Sequence, residues 1–126
     1  MTETNSPRCL SITPIIPVSD IGRALDFYTN ILGFTMQARD DGYAYIVKDE
    51  IALRLLMTTD TPPKGKQACY ICVENLDDLF EQMKANLQQL PEGRVRAPFD
   101  QPYGQREFHV TDEDSLLLFF GEPVGT

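Results

Sequence analysis

The chain carries one pattern twice. Residues 12–21 (ITPIIPVSDI) are answered 55 residues later by residues 67–76 (QACYICVENL). In each copy an extended apolar run ends at a valine, an Asp or Asn follows, and a helix-like segment begins. The two copies also end alike: residues 48–56 (KDEIALRLL) match residues 113–121 (EDSLLLFFG) at a shift of 65. Self-similarity at a fixed period means one supersecondary unit built twice. The order within each copy reads as strand, helix and three strands, a duplicated βαβββ module.

Local signals give the boundaries. Residues 8–18 read as a strand, and Pro14 and Pro17 suggest an edge strand, or one whose N–H groups face away from a partner. Ser19 or Asp20 supplies an N-cap. Ile21, Leu25, Tyr28, Ile31 and Leu32 then recur at helical spacing until Gly33 ends the helix. Strands follow at 34–40, 43–48 and 51–58, with hairpins at Asp41-Gly42 and Lys48-Asp49-Glu50. Residues 59–66 (TDTPPKGK) form a polar linker. In the second copy a strand runs 67–74, and Asn75 caps a helix carrying Leu76, Leu79, Phe80, Met83 and Leu87. Strands follow near 94–97, 105–111 and 115–121. The segment 98–104 (PFDQPYG) reads as a loop, and an insertion there accounts for the growth of the shift from 55 to 65. Short hairpins make the three consecutive strands antiparallel, with helices outside the sheet. The expected class is α+β: residues 1–126 form one domain, with module one at about 8–58 and module two at about 67–121.

With 126 residues and 42% apolar content, the chain is long enough to bury a core. No apolar run is long enough to span a bilayer, and the first residues (MTETNSPR) lack the basic-then-apolar order of a secretory signal. The expected location is cytoplasmic. A net charge of −8 opposes contact with nucleic acid or anionic membrane and favours cationic partners. Three cysteines, Cys9, Cys69 and Cys72, do not make a disulfide framework. Cys69 and Cys72 have C-x-x-C spacing, but on a strand residues three apart face opposite ways. Core packing is the expected role for both.

Two segments resemble a known group. DIGRALDFYTNILGF at 20–34 is similar to the first-helix signature of the vicinal oxygen chelate superfamily, which includes glyoxalase I, extradiol dioxygenases, fosfomycin resistance enzymes and bleomycin resistance proteins. QPYGQREFHVTDEDSLLLFF at 101–120 is similar to the bleomycin resistance pattern Q-P-W-G-R-E-F-x-x-x-D-P-x-G-N-x-x-x-F. The resemblance spans about residues 10–121 and implies two modules forming a curved, mostly antiparallel sheet cup with the helices outside. Enzymes of the group hold a divalent metal in the cup, with ligands from the first and last strand of each module.

Matched by position, those ligand sites fall on Thr13, Arg54, Ala68 and Phe119. Divalent ions need oxygen or nitrogen donors, which Ala and Phe lack, and a guanidinium repels them. No metal and no cofactor are expected. By strand alternation the same face carries Ile15, Ala52, Leu56, Tyr70, Cys72 and Leu117, a filled core or an apolar pocket, with Ile15, Leu56 and Leu117 read as core. Arg54 needs either a carboxylate or an anionic part of a ligand. His109, the only histidine, reads as a packed or surface residue.

In the bleomycin-binding branch a large ligand lies on aromatic side chains in a groove between two subunits. The resemblance places Tyr43 at an aromatic position, Tyr103 at the Trp of Q-P-W-G, and Tyr70 and Cys72 at two strand positions that carry Trp. Cys72 departs from the pattern, and the chain has no Trp. Asp40, Asp41, Asp60 and Asp100 lie where loops would supply a field for a cation. The implied function is metal-free sequestration of a bleomycin-like antibiotic by a homodimer, with Tyr43, Arg54, Tyr70, Cys72, Tyr103 and Phe119 as ligand residues. The alternatives are a metal-dependent enzyme of the glyoxalase or dioxygenase type, and a binder or sensor of another aromatic ligand.

Overall fold

The computed structural model describes residues 6–59 and 67–125. The proposed linker, apart from Thr59, lies outside these residues, and so does Asp60. Module one consists of β1 (Ile15–Val18), α1 (Ile21–Asp26) continuing as a π-helical turn (Phe27–Ile31), β2 (Thr35–Arg39), β3 (Tyr43–Lys48) and β4 (Ile51–Met57). Module two consists of β5 (Ala68–Cys72), α2 (Leu76–Leu87), β6 (Val95–Asp100), β7 (Gln105–Thr111) and β8 (Leu117–Pro123). Each module makes its own four-stranded sheet, in the orders β1-β4-β3-β2 and β5-β8-β7-β6. The first strand runs parallel to the last, and the other neighbours are antiparallel.

The register bears out the duplication. Ile15 lies opposite Arg54 in the first parallel pair, and Tyr70 lies opposite Phe119 in the second. These pairs are related by shifts of 55 and 65. The second strand of each sheet also breaks register in the same way, between Met36 and Ala38 in β2 and between Arg96 and Phe99 in β6.

Several boundaries differ from expectation. The first strand begins at Ile15 rather than near residue 8, because Pro14 has no N–H and only its carbonyl joins β4, accepting from the Arg54 amide at 3.0 Å. β6 runs through Asp100, so the expected loop shrinks to the turn at 101–104, closed by the Gly104 N–H to the Gln101 carbonyl at 3.1 Å. That loop is also not the whole source of the longer shift. From the start of helix to the start of the next strand is 14 residues in module one (21 to 35) and 19 in module two (76 to 95). Half of the ten-residue growth therefore enters before β6.

Helix starts follow different rules in the two copies. Asp20 caps α1 through its Oδ1, which accepts the Arg23 N–H at 2.8 Å. Asn75 makes no such bond: it sits in the left-handed region (φ 57°), and the Leu76 N–H instead donates to Glu122 Oε2 at 3.3 Å. A short polar residue tolerates that conformation better than most.

One hydrophobic cluster joins both modules. Val18, Tyr28, Leu53 and Leu55 of module one pack in it with Leu76, Phe108, Leu118 and Phe120 of module two. Tyr28 pins the seam, donating its hydroxyl to Asp112 Oδ2 at 2.8 Å. Burial pushes the Asp112 carboxyl up, against the Tyr28 hydroxyl and the Leu116 and Asp114 amides, which pull it down. Strand alternation sends Ile16, Leu53, Leu55, Leu118 and Phe120 into this core. The opposite face of each sheet is open, which corrects the core reading of three residues. Ile15 is 60% exposed, Leu56 46%, and Leu117 only half-buried. Among the described residues no helix is long and apolar enough to cross a membrane.

Candidate ligand-binding face

The open face of module two is organised around one carboxylate. Glu107, at the middle of β7, is fully buried although its side chain leaves the strand away from the core side taken by Phe108. The groups that cover it are those that bond it. Its Oε2 accepts the hydroxyls of Tyr103 at 2.6 Å and Tyr70 at 2.9 Å. Its Oε1 accepts Gln101 Nε2 at 3.0 Å and His109 Nε2 at 2.8 Å. Burial alone would push this carboxyl up; the hydrogen bonds from Tyr103, His109, Gln101 and Tyr70 outweigh it and bring it down to about 2. An ionised carboxylate only accepts, so the histidine nitrogen facing it carries the proton.

Around this anchor the rings form a continuous aromatic strip. Tyr70 stacks on Phe119 with centroids 5.6 Å apart, and Phe119 meets His109 at 4.4 Å. His109 meets Phe99 edge-on at 5.2 Å, and the Arg96 guanidinium lies 3.5 Å from the Phe99 centroid. Tyr70 and Tyr103 remain 41% and 60% exposed, so both offer ring surface to solvent. Gly121, opposite Glu107 on β8, is what admits Tyr70: a Cβ there would overlap the Tyr70 hydroxyl.

Module one presents a different face. Arg54 donates to the Tyr43 hydroxyl and lies over the Tyr45 ring, 4.8 Å from its centroid. No carboxylate among the described residues pairs with it. Ile15 and Leu56 extend this half-buried basic patch as exposed apolar surface.

The six expected ligand residues are thus divided between two sheets. Tyr70, Phe119 and Tyr103 come together on module two, and Tyr43 and Arg54 on module one. Cys72 is exposed at the end of β5 and is not core, unlike Cys69, which packs against the core from the other side of the strand. Of the expected acidic loop residues, Asp40 caps its own turn through the Gly42 N–H at 2.9 Å. Asp100 ends β6 rather than lying in a loop and pairs with Arg106 at 3.0 Å. Asp41 is exposed.

Sequence reasoning missed the role of Glu107, along with Tyr45, Phe99 and Arg96. The available signal was its position two residues from His109 on one strand, which puts the two side chains on one face. The four metal-ligand positions do not fit a divalent ion. Thr13 precedes β1, Ala68 has no donor, Arg54 is cationic, and Phe119 is an element of the aromatic strip. Glu107 and His109 lack a third donor, since no group of three His, Cys, Asp or Glu residues gathers among the described residues.

Comparison with known proteins agrees with this architecture. The bleomycin resistance proteins of Geobacillus stearothermophilus and Staphylococcus aureus are each 27% identical over 132 residues, covering 91% of this chain and 98% of theirs. The bleomycin-binding protein of Streptomyces verticillus, solved with copper(II)-bleomycin, superposes with a TM-score of 0.78 at 21% identity. That match covers 96% of this chain and all of the other. A bleomycin resistance determinant from the transposon Tn5 gives 0.78 at 23% identity, over 91% and 98%. Lactoylglutathione lyase from Agrobacterium tumefaciens gives 0.68 at 16% identity, over 91% and 95%. At these identities the structural matches establish the fold, which is shared by binders and enzymes alike. The model of the Glyoxalase/Bleomycin resistance protein/Dioxygenase superfamily matches residues 9–120, and the chain belongs to that superfamily.

Proposed function

We propose that this chain is a metal-free binding protein that sequesters a bleomycin-like antibiotic in the cytoplasm. It acts as a homodimer whose paired open faces hold the ligand. The observation that carries this reading is the strip of Tyr70, Phe119 and Tyr103 beside buried Glu107, with Phe119 standing where the enzymes of the superfamily would need a metal donor. Flat aromatic surface suits planar rings, and a net charge of −8 attracts a cationic ligand. Exposed Leu10, Ile12, Ile15, Leu56 and Met57 supply apolar surface for a second copy of the chain. The bleomycin resistance proteins of Geobacillus stearothermophilus and Staphylococcus aureus match this chain along almost their whole length.

Calorimetric titration of the full chain with bleomycin tests this: saturable binding below micromolar concentration is expected, and no heat at that concentration sinks the proposal. Elemental analysis of protein purified without chelator is the control. Stoichiometric metal would restore the enzyme reading. A second reading rests on Arg54, which has no carboxylate partner among the described residues and so favours an aromatic ligand with an anionic group. Tighter binding of aromatic acids than of bleomycin would select it.

A further inference from the structure

The hydroxyls on the two open faces have opposite hydrogen-bond polarity. A phenol has one proton to give and lone pairs with which to accept. On module two the protons of Tyr70 and Tyr103 both go to Glu107, which has none to return. Gln105 Oε1, 3.3 Å from the Tyr70 hydroxyl, is a further acceptor competing for the same proton. The Nε2 proton of His109 is committed to the same carboxylate and is withheld from a ligand. Four donors occupy Glu107 completely, so the carboxylate is closed to a ligand and acts only through the groups it orients. On module one the roles reverse. Arg54 can only donate, and the Tyr43 oxygen takes its N–H, leaving the Tyr43 proton free to donate outward.

We propose that Glu107, acting through Tyr70 and Tyr103, makes their end of the module-two strip a hydrogen-bond acceptor, away from the Arg96 guanidinium on Phe99 at the other end, and so selects planar ligands that set N–H donors or positive charge against the two tyrosines. Glu107 is a positioning residue, and it determines specificity rather than touching the ligand. The inference deepens the binding reading above and rests on this face being the ligand face. Its geometry depends on Gly121, because any side chain there displaces the Tyr70 hydroxyl from the carboxylate.

Fluorescence titration of the full chain with two probes tests the polarity directly: proflavine, a planar cation with amino donors, and 8-anilinonaphthalene-1-sulfonate, an aromatic anion. The native chain should prefer proflavine by about tenfold, the value of one good charge-assisted hydrogen bond. Glu107→Gln keeps the shape but turns one oxygen into a donor, returning a phenol proton to the face. It should bring the ratio of the two affinities close to one. Tyr103→Phe leaves Glu107 in place and should lose part of the preference. Gly121→Ala should weaken proflavine in the native background and have no effect in a Tyr70→Ala background, a dependence that general destabilisation would not produce.

An unchanged affinity ratio in both Glu107→Gln and Tyr103→Phe overturns the inference, as does a native chain that binds the anion as well as the cation. The outcomes separate from those for the proposed function. Bleomycin binding with no effect of Glu107 sinks only the polarity. A Glu107-dependent cation preference without bleomycin binding upholds the polarity and sinks only the drug.

Discussion

The two modules place the same strand positions in the same register and fill them with opposite chemistry. Tyr45 and Arg54 are paired across β3 and β4; their counterparts across β7 and β8 are His109 and Phe119. Module one therefore offers a cation held by two tyrosines, and module two an anion buried beneath two tyrosines. Duplication gave the chain two equivalent surfaces, and substitution at a few inward positions made one a donor and the other an acceptor. The core side of each sheet shows no such divergence: both copies fill it with aliphatic and aromatic residues. Packing constrains the covered face to apolar residues, whereas the open face is free to specialise.

The largest expected effect lies on the covered face. Phe108→Ala removes a fully buried ring stacked on Phe120 at 4.7 Å and should cost about 3–5 kcal/mol, read as a fall in the urea midpoint. The neighbouring substitution His109→Ala should leave the midpoint much closer to native; equal losses would mean that the two faces of β7 are not distinct. Next come the rings of the acceptor face. Tyr103→Ala and Tyr70→Ala should each weaken ligand about tenfold or more with the fold intact, measured by calorimetry. Tyr43→Ala tests the other module by the same measurement. Unchanged affinity in all three variants would place the ligand elsewhere.

A smaller effect is set by pH. Glu107 has its folded pKa depressed to about 2, below the ordinary carboxylate value of about 4.3. Its contribution to stability is therefore fully present above the unfolded value and is lost as pH falls from about 5 towards 2. Asp112 has its folded pKa raised, so its contribution runs the other way and declines as pH rises through the carboxylate range. Urea midpoints between pH 7 and pH 3 should fall more steeply for the native chain than for Glu107→Gln. Parallel curves would show that Glu107 carries no such linkage. The smallest effect is that of Arg54→Ala, on a half-buried residue whose guanidinium bonds one neutral hydroxyl: less than about 1 kcal/mol in stability, with a loss of affinity confined to anionic aromatic probes.

Much of this fold was legible in the chain, for identifiable reasons. The strands at 43–48 and 105–111 match the expected bounds, because turn residues flank a run containing aromatic and β-branched residues on both sides. The Asp20 cap followed from local chemistry. The π-helical turn at Phe27–Ile31 did not. There the Thr29 hydroxyl donates to the Leu25 carbonyl at 2.7 Å and the Leu32 N–H donates back to the Phe27 carbonyl, local details that a helical periodicity does not encode. That Tyr70, Tyr103 and Phe119 would share one face, the aromatic half of the candidate site, was legible. Its anchor was not, since an isolated glutamate in a strand reads as a solvent-facing residue. Glu107 becomes buried only when side chains from β5, the 101–104 turn and His109 close over it, a matter of tertiary placement.

The hydrogen bond from Tyr28 to Asp112 bears on inheritance. A duplicated chain begins as two copies that are each free to vary, and either half could in principle be lost or exchanged. Here the first copy holds the donor and the second the buried acceptor, so a change in one must be answered by a change in the other. Together with the shared hydrophobic cluster, that bond ties two former duplicates into one line of descent.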